Sequence, residues 1–150
     1  ILEQTSFDPR RLEIEITENG LMSDPASAKR ILQDLRRRGI RVSLDDFGTG
    51  QSSLGRLREF AFDKLKIDRT FVSSILDDRP SEHIIRAILA MCEGLGMEVV
   101  AEGIEEEAQA ERLVQFGCSG GQGHLFGRPR NAHHTLSYLH ESVYPSKYAG

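Results

Sequence analysis

Four acidic side chains, Glu15, Asp45, Asp46 and Glu102, and one lysine, Lys66, fall at or near the ends of short stretches that alternate apolar and polar residues. Gathered in one place, four carboxylates against a single ammonium are costly to bury bare. One or more would have to take a proton, or a cation would have to join them. An all-oxygen donor set suits magnesium, manganese or calcium better than softer metals. The adjacent pair Asp45-Asp46 suits two ions held close together, the arrangement used for in-line displacement at phosphorus.

Positioning these groups requires strands, and the sequence supplies them. Arg11–Thr17 alternates with period two and carries β-branched residues, which predicts a strand. Ser23-Asp24-Pro25 then announces a helix that runs through Ala28, Ile31, Leu32 and Leu35 and stops at Gly39. The unit recurs. Strands are predicted over 40–45, 63–68 and 97–102, with a weak one over 120–125. Helices are predicted over 52–60, 81–95, 105–116 and 132–141. Strands alternating with helices of this length mean βα units and a parallel sheet.

Parallel strands buried on both faces read as continuous apolar runs, and these do not. Ile14 and Ile16 oppose Glu13 and Glu15. Val42 and Leu44 oppose Arg41, Ser43 and Asp45. Leu65 and Ile67 oppose Lys64, Lys66 and Asp68, and Val99 and Ala101 oppose Glu98, Val100 and Glu102. Polar faces that converge on one another belong to the inside of a closed barrel. The polar groups bunch at the C-terminal strand ends, where barrel enzymes keep their chemistry: Glu15 and Glu18, Asp45 and Asp46, Lys66 and Asp68, Glu102 and Glu105, then Gln122. Open α/β sheets also bind ligands there, so this placement alone does not choose between the two. Glu13 and Glu98 are expected to be structural, paired with Lys64 or Arg41.

Composition narrows the alternatives. The 150 residues are 39% hydrophobic and 28% charged with a net charge of −4, which fits one domain and argues against a polyanion-binding surface such as one for DNA. No apolar run approaches the roughly 20 residues of a membrane span. Cys92 and Cys118 stand singly, without metal-binding spacing, and point to a reducing, cytoplasmic setting. Residues 142–150 read as a C-terminal tail, leaving 1–141 as the domain.

The stretch Asp45-Asp46-Phe47-Gly48-Thr49-Gly50-Gln51-Ser52-Ser53-Leu54 is the most specific one. It occurs with Glu15-Ile16-Thr17-Glu18, Lys64-Leu65-Lys66-Ile67-Asp68-Arg69, Ala101-Glu102-Gly103-Ile104-Glu105 and Gln122-Gly123-His124-Leu125-Phe126-Gly127-Arg128-Pro129. Together these five motifs closely resemble the bacterial EAL domain family, in its order and at its usual spacing, over about residues 12–139. The resemblance implies a (β/α)8 TIM-type barrel, of which this chain carries about five of the eight units, since a whole barrel takes about 250 residues. It implies a phosphodiesterase that hydrolyses cyclic di-GMP to linear pGpG with two Mg²⁺ or Mn²⁺ ions, Ca²⁺ being inhibitory. Glu15, Asp45, Asp46 and Glu102 match metal-site positions, with Asp45 bridging. Lys66 matches the lysine beside the nucleophilic water, Glu102 a general-base position, and Gln122 the glutamine beside that water. Glu105 matches a residue that steadies the loop after Asp46. Asp68, Glu18, Arg128 and Pro129 match substrate-side positions. The resemblance further implies a homodimer through the region of the Asp46–Gly50 loop and sensory or regulatory domains upstream.

Some family features are missing. The Glu-Ala-Leu strand that names the family and the next strand's asparagine ligand would both precede Ile1, so the piece by itself is expected to be inactive. Gln51 stands where an aromatic is common, and Ser119-Gly120-Gly121 where the family usually has an acidic and an aromatic residue. Two alternatives remain open. One is a catalytically silent module that binds cyclic di-GMP or a partner protein. The other is a magnesium-dependent barrel lyase with Lys66 as base, which would leave a phosphodiester intact.

Overall fold

A computed structural model describes residues 2–48, 59–60 and 62–140. Five parallel strands form one sheet in sequential order: β1 (Glu13–Thr17), β2 (Arg41–Phe47), β3 (Lys64–Ile67), β4 (Glu98–Ala101) and β5 (Gly120–Gly121). The helices are α1 (Leu2–Thr5), α2 (Glu18–Ser23), α3 (Pro25–Arg37), α4 (Arg69–Ser73), α5 (Arg79–Leu95), α6 (Glu107–Gln115) and α7 (Ala132–His140), with a 3₁₀ turn over Pro9–Arg11. This is a partial TIM-type barrel, with each strand hydrogen-bonded to the next in the chain.

The period-two reading of the strands explains which face each residue takes. Val42, Leu44, Leu65, Ile67, Val99 and Ala101 are all buried. They meet Leu32 of α3, Ile85, Ile88 and Cys92 of α5, and Leu113 of α6 in one continuous core. Each fully buried Leu or Ile contributes about 1.5–3 kcal/mol. That core fixes the strands and leaves their other face for polar side chains. Where that polar face begins, Lys64 Nζ meets Glu13 Oε2 at 2.6 Å and Arg41 Nη2 meets Glu98 Oε2 at 2.6 Å. The expected pairing of the two structural glutamates is thus present, and it ties β1 to β3 and β2 to β4.

Helix starts follow the capping signals. Asp24 Oδ1 accepts from Ser27 N at 3.1 Å ahead of Pro25, and Asp78 Oδ2 accepts from Ser81 N at 2.9 Å ahead of Pro80. The helix expected over 52–60 lies outside the described residues except at its end, where Glu59 and Phe60 are helical. The expected tail over 142–150 also lies outside them. The last strand is shorter than expected. Only Gly120 and Gly121 pair with Val100 and Ala101, because beyond Gln122 the chain bonds to a turn instead of a strand: Ile104 N donates to Gln122 O and Leu125 N to Ile104 O, both at 3.1 Å. Among the described residues no helix is long and apolar enough to cross a membrane.

Candidate active site

Above the Glu13–Lys64 and Arg41–Glu98 layer lies a second one, built from positions farther along the same alternation: Glu15 and Lys66 are one step on along β1 and β3, and Asp45 and Glu102 two steps on along β2 and past β4. Its centre is Lys66. The ammonium lies 2.8 Å from Glu15 Oε1, 2.7 Å from Glu102 Oε1 and 3.5 Å from Asp45 Oδ1. Acids from β1, from β2 and from the residue after β4 therefore converge on one point, as the strand pattern requires. Lys66 is 5% exposed. Burial works against its charge, yet hydrogen bonds to Glu102 and Glu15 and the nearby Asp45 outweigh it, and the Lys66 pKa is raised. Glu102 also moves upward. Burial raises its pKa, Lys66 opposes that, and the charges of Asp45 and Glu15 add to the rise.

Asp46 follows on β2 in the left-handed region, with φ at +56°, and its N–H donates to Asp45 Oδ1 at 2.9 Å. The β2–β3 register is irregular between Leu44 and Phe47. The outcome is that two consecutive acids, which in a regular strand would point to opposite faces, do not follow simple alternation. Asp46 lines a cleft of about 890 Å³ together with Glu102, Glu105, Gln122, Asp68, Arg128 and Pro129. Seven of the eleven candidate residues thus share the cleft, and Glu15, Asp45 and Lys66 adjoin it through Glu102. Arg69, Thr70 and His124 also line it. Arg69 and His124 stand inside the motifs quoted above but carry no role there, and Thr70 gives no signal because a helix as short as α4 shows no periodicity; the clue available for Thr70 is Asp68 as the helix cap, accepting from Thr70 N at 2.9 Å.

Glu18 departs from the substrate-side expectation. It is 2% exposed, outside the cleft lining, and neither carboxylate oxygen has a hydrogen-bond partner. Thr17 caps α2 and the first helical residue turns inward. Glu105 Oε1 lies 3.8 Å from His124 Nδ1; most of the loop after Asp46, which Glu105 is expected to steady, lies outside the described residues.

The donor set suits a hard divalent cation in its chemistry. It is made of carboxylate oxygens alone, and its three acids outnumber the ammonium. Among the described residues no three His, Cys, Asp or Glu side chains are placed to hold a metal ion as they stand, because Lys66 takes the point on which they converge.

A family model for the EAL domain matches residues 1–129. This chain belongs to the EAL domain family. It is 43% identical over 138 residues to the cyclic di-GMP phosphodiesterase RocR of Pseudomonas aeruginosa, covering 92% of this chain and 35% of RocR. To MucR of the same organism, a bifunctional diguanylate cyclase/cyclic di-GMP phosphodiesterase, it is 42% identical over 132 residues, or 88% of this chain and 19% of MucR. The solved MucR phosphodiesterase in complex with c-di-GMP superposes with a TM-score of 0.86 at 41% identity, covering 90% of this chain and 55% of that one. The manganese/cyclic di-GMP complex of BlrP1 from Klebsiella pneumoniae superposes at 0.80 with 34% identity, over 85% of this chain and 33% of that one. The EAL chain described here therefore spans only part of each relative.

Proposed function

We propose that the full-length protein is a metal-dependent phosphodiesterase that opens cyclic di-GMP to linear pGpG, with residues 1–141 forming part of its catalytic barrel. The observation that carries this reading is the convergence of Glu15, Asp45 and Glu102 on Lys66 beside a cleft that also holds Asp46 and Gln122. The named activities of RocR and MucR support it.

Glu15, Asp45, Asp46 and Glu102 would hold two Mg²⁺ or Mn²⁺ ions, with Ca²⁺ competing for the same oxygens as an inhibitor. Such ions, when bound, supply water activation and charge neutralisation at phosphorus. The chain's own groups do the rest. Lys66 presents a permanent positive charge where negative charge grows during attack. Gln122 is held by its backbone, whose N–H donates to Ala101 O at 2.8 Å, and its side chain orients the attacking water. Arg128 and Arg69 offset the substrate's phosphates, and Asp68 and Pro129 shape the cleft around a base. Glu102, beside Lys66 and in the cleft lining, is placed to take a proton from water. The working assembly is a homodimer through the region of the Asp46–Gly50 loop, in the cytoplasm, with regulatory domains elsewhere in the protein.

The test is Asp45→Asn in the full-length protein. Mg²⁺-dependent release of pGpG should fall by at least about 100-fold. Hydrolysis at the parental rate would overturn the metal assignment. A parental protein that binds cyclic di-GMP and leaves it intact would point to the silent module instead.

A further inference from the structure

The turn that carries Glu102 and Glu105 has no regular structure between β4 and α6, so something outside the ladder must hold it. Three anchors are visible. At its start Glu102 N donates to Ile67 O at 3.1 Å. In its middle Ile104 is bonded to the Gln122 segment on both sides. Gly123 lies against Ile104 so closely that a Cβ there would collide with the Ile104 backbone. At its end, Glu105 N and Glu106 N both donate to a single side-chain atom, Gln109 Oε1, at 2.9 and 3.1 Å.

Gln109 is 5% exposed, unusual burial for a glutamine, and its residue lines the same cleft. It stands on the first turn of α6, where its acceptor reaches back over the helix start. Two consecutive amides aimed at one oxygen make a concave donor pair of the kind that favours an acceptor with negative character. Here the acceptor is a neutral amide. A carboxylate would do the same bonding but would add charge beside Glu105, Glu106 and Glu107, at the edge of a cleft already rich in acids.

We infer that Gln109 is a positioning residue for the reaction: it fixes the Glu102–Glu106 turn, and through it the place of Glu102 and Glu105 relative to Lys66 and Gln122. It acts through that turn, by its two hydrogen bonds to Glu105 N and Glu106 N. The inference rests on the phosphodiesterase reading for its kinetic arm only, because the turn also carries an acid proposed to bind metal.

The experiment uses the full-length protein with Gln109→Met, which keeps length and apolar volume and loses the acceptor, and Gln109→Glu, which keeps an acceptor at that atom. For Gln109→Met, kcat for cyclic di-GMP should fall at least about tenfold with KM within about threefold, since displacement of acting groups costs rate more than ground-state binding. Mn²⁺ binding followed by electron paramagnetic resonance should weaken at least about fivefold, and Gln109→Glu should recover most of it. Hydrogen exchange on the unmutated protein gives an arm that needs no variant: the amides of Glu105 and Glu106 should be protected at least about 100-fold over free amides. A Gln109→Met protein whose Mn²⁺ affinity and kcat stay within twofold of the parent's would overturn the inference. So would a Glu variant no better than Met, or unprotected Glu105 and Glu106 amides. If the parent binds Mn²⁺ in a Gln109-dependent way and hydrolyses nothing, the positioning role stands and the phosphodiesterase reading falls.

Discussion

Lys66 on β3 and Glu102, the residue that follows β4, face each other at 2.7 Å, one almost wholly buried and the other four-fifths so. The bond links two opposite demands. The acids need a cation, and the buried ammonium needs acids. Either alone is costly in this setting, and removing one partner leaves the other uncompensated.

Lys66→Met in the full-length protein should therefore lose stability at neutral and alkaline pH without divalent metal, by about 2–4 kcal/mol. The sign follows from the shifts. The raised Lys66 pKa gives stability that is complete below the ordinary lysine value of 10.5 and is lost as pH rises through the folded value. Glu102, raised above its ordinary 4.5, makes stability fall as pH climbs from that value through the folded one. Without Lys66 this second slope steepens. Thermal melts at pH 5 and pH 8 should show the gap between variant and parent narrowing in acid, and millimolar Mg²⁺ should raise the variant's midpoint more than the parent's. Equal melts at pH 8 would refute the argument.

The layer beneath allows a comparison of two ion pairs on the same sheet. Glu13–Lys64 is held at 2.6 and 2.9 Å with both side chains mostly buried. Arg41–Glu98 is equally short, but its side chains are 40% and 57% exposed. Double-mutant cycles should give about 1 kcal/mol for the first and less than about 0.5 kcal/mol for the second, and 1 M salt should erase the second first. Equal couplings would mean that burial does not separate them.

Much of this arrangement is readable in the sequence because β structure has a short period. Glu13 and Glu15 against Ile14 and Ile16 announce a strand and also say which residues share a face; adding Arg41, Lys64, Lys66 and Glu98 to that face predicts both polar layers. What escapes is local and aperiodic. Helices α2 and α4 have six and five residues, fewer than two turns each, too short for a 3.6-residue pattern to show. The left-handed Asp46 cannot be seen from Asp-Asp-Phe-Gly, where alternation assigns Asp46 to the opposite face. Gln109 reads as an ordinary polar helix residue unless Glu106-x-x-Gln109 is recognised as a capping arrangement, and nothing in the chain announces that its acceptor is buried.

Two glycines give opposite expectations for the same substitution. At Gly123 a Cβ would run into the backbone of Ile104, which cannot move without displacing Gln122 and the Glu102 turn. Gly123→Ala should destabilise by about 2–3 kcal/mol and abolish hydrolysis. Gly94 lies inside α5 with nothing near its missing side chain, so Gly94→Ala should stabilise by about 0.5–1 kcal/mol with activity unchanged. Chemical denaturation of both variants reads the two signs directly, and a harmless Gly123→Ala would show that the turn is not locked to the Gln122 segment.

Asp46 joins a conformational demand to a chemical one, and substitutions can separate them. Its φ of +56° is tolerated by aspartate and asparagine better than by other non-glycine residues. Asp46→Asn keeps the shape and removes the charge, so its stability should stay within about 1 kcal/mol of the parent's. If the carboxylate serves a cation, Mn²⁺ affinity and pGpG release should both collapse in that variant. Asp46→Gly relieves the backbone demand, so it should lose the same functions without the strain that Asp46→Ala adds, about 1–2 kcal/mol. The ordering of metal affinities then decides the matter. Asn and Gly both weak means the charge is what counts. Asn as tight as the parent means that Asp46 matters for the bend it allows after Asp45, and that the second cation finds its oxygens elsewhere.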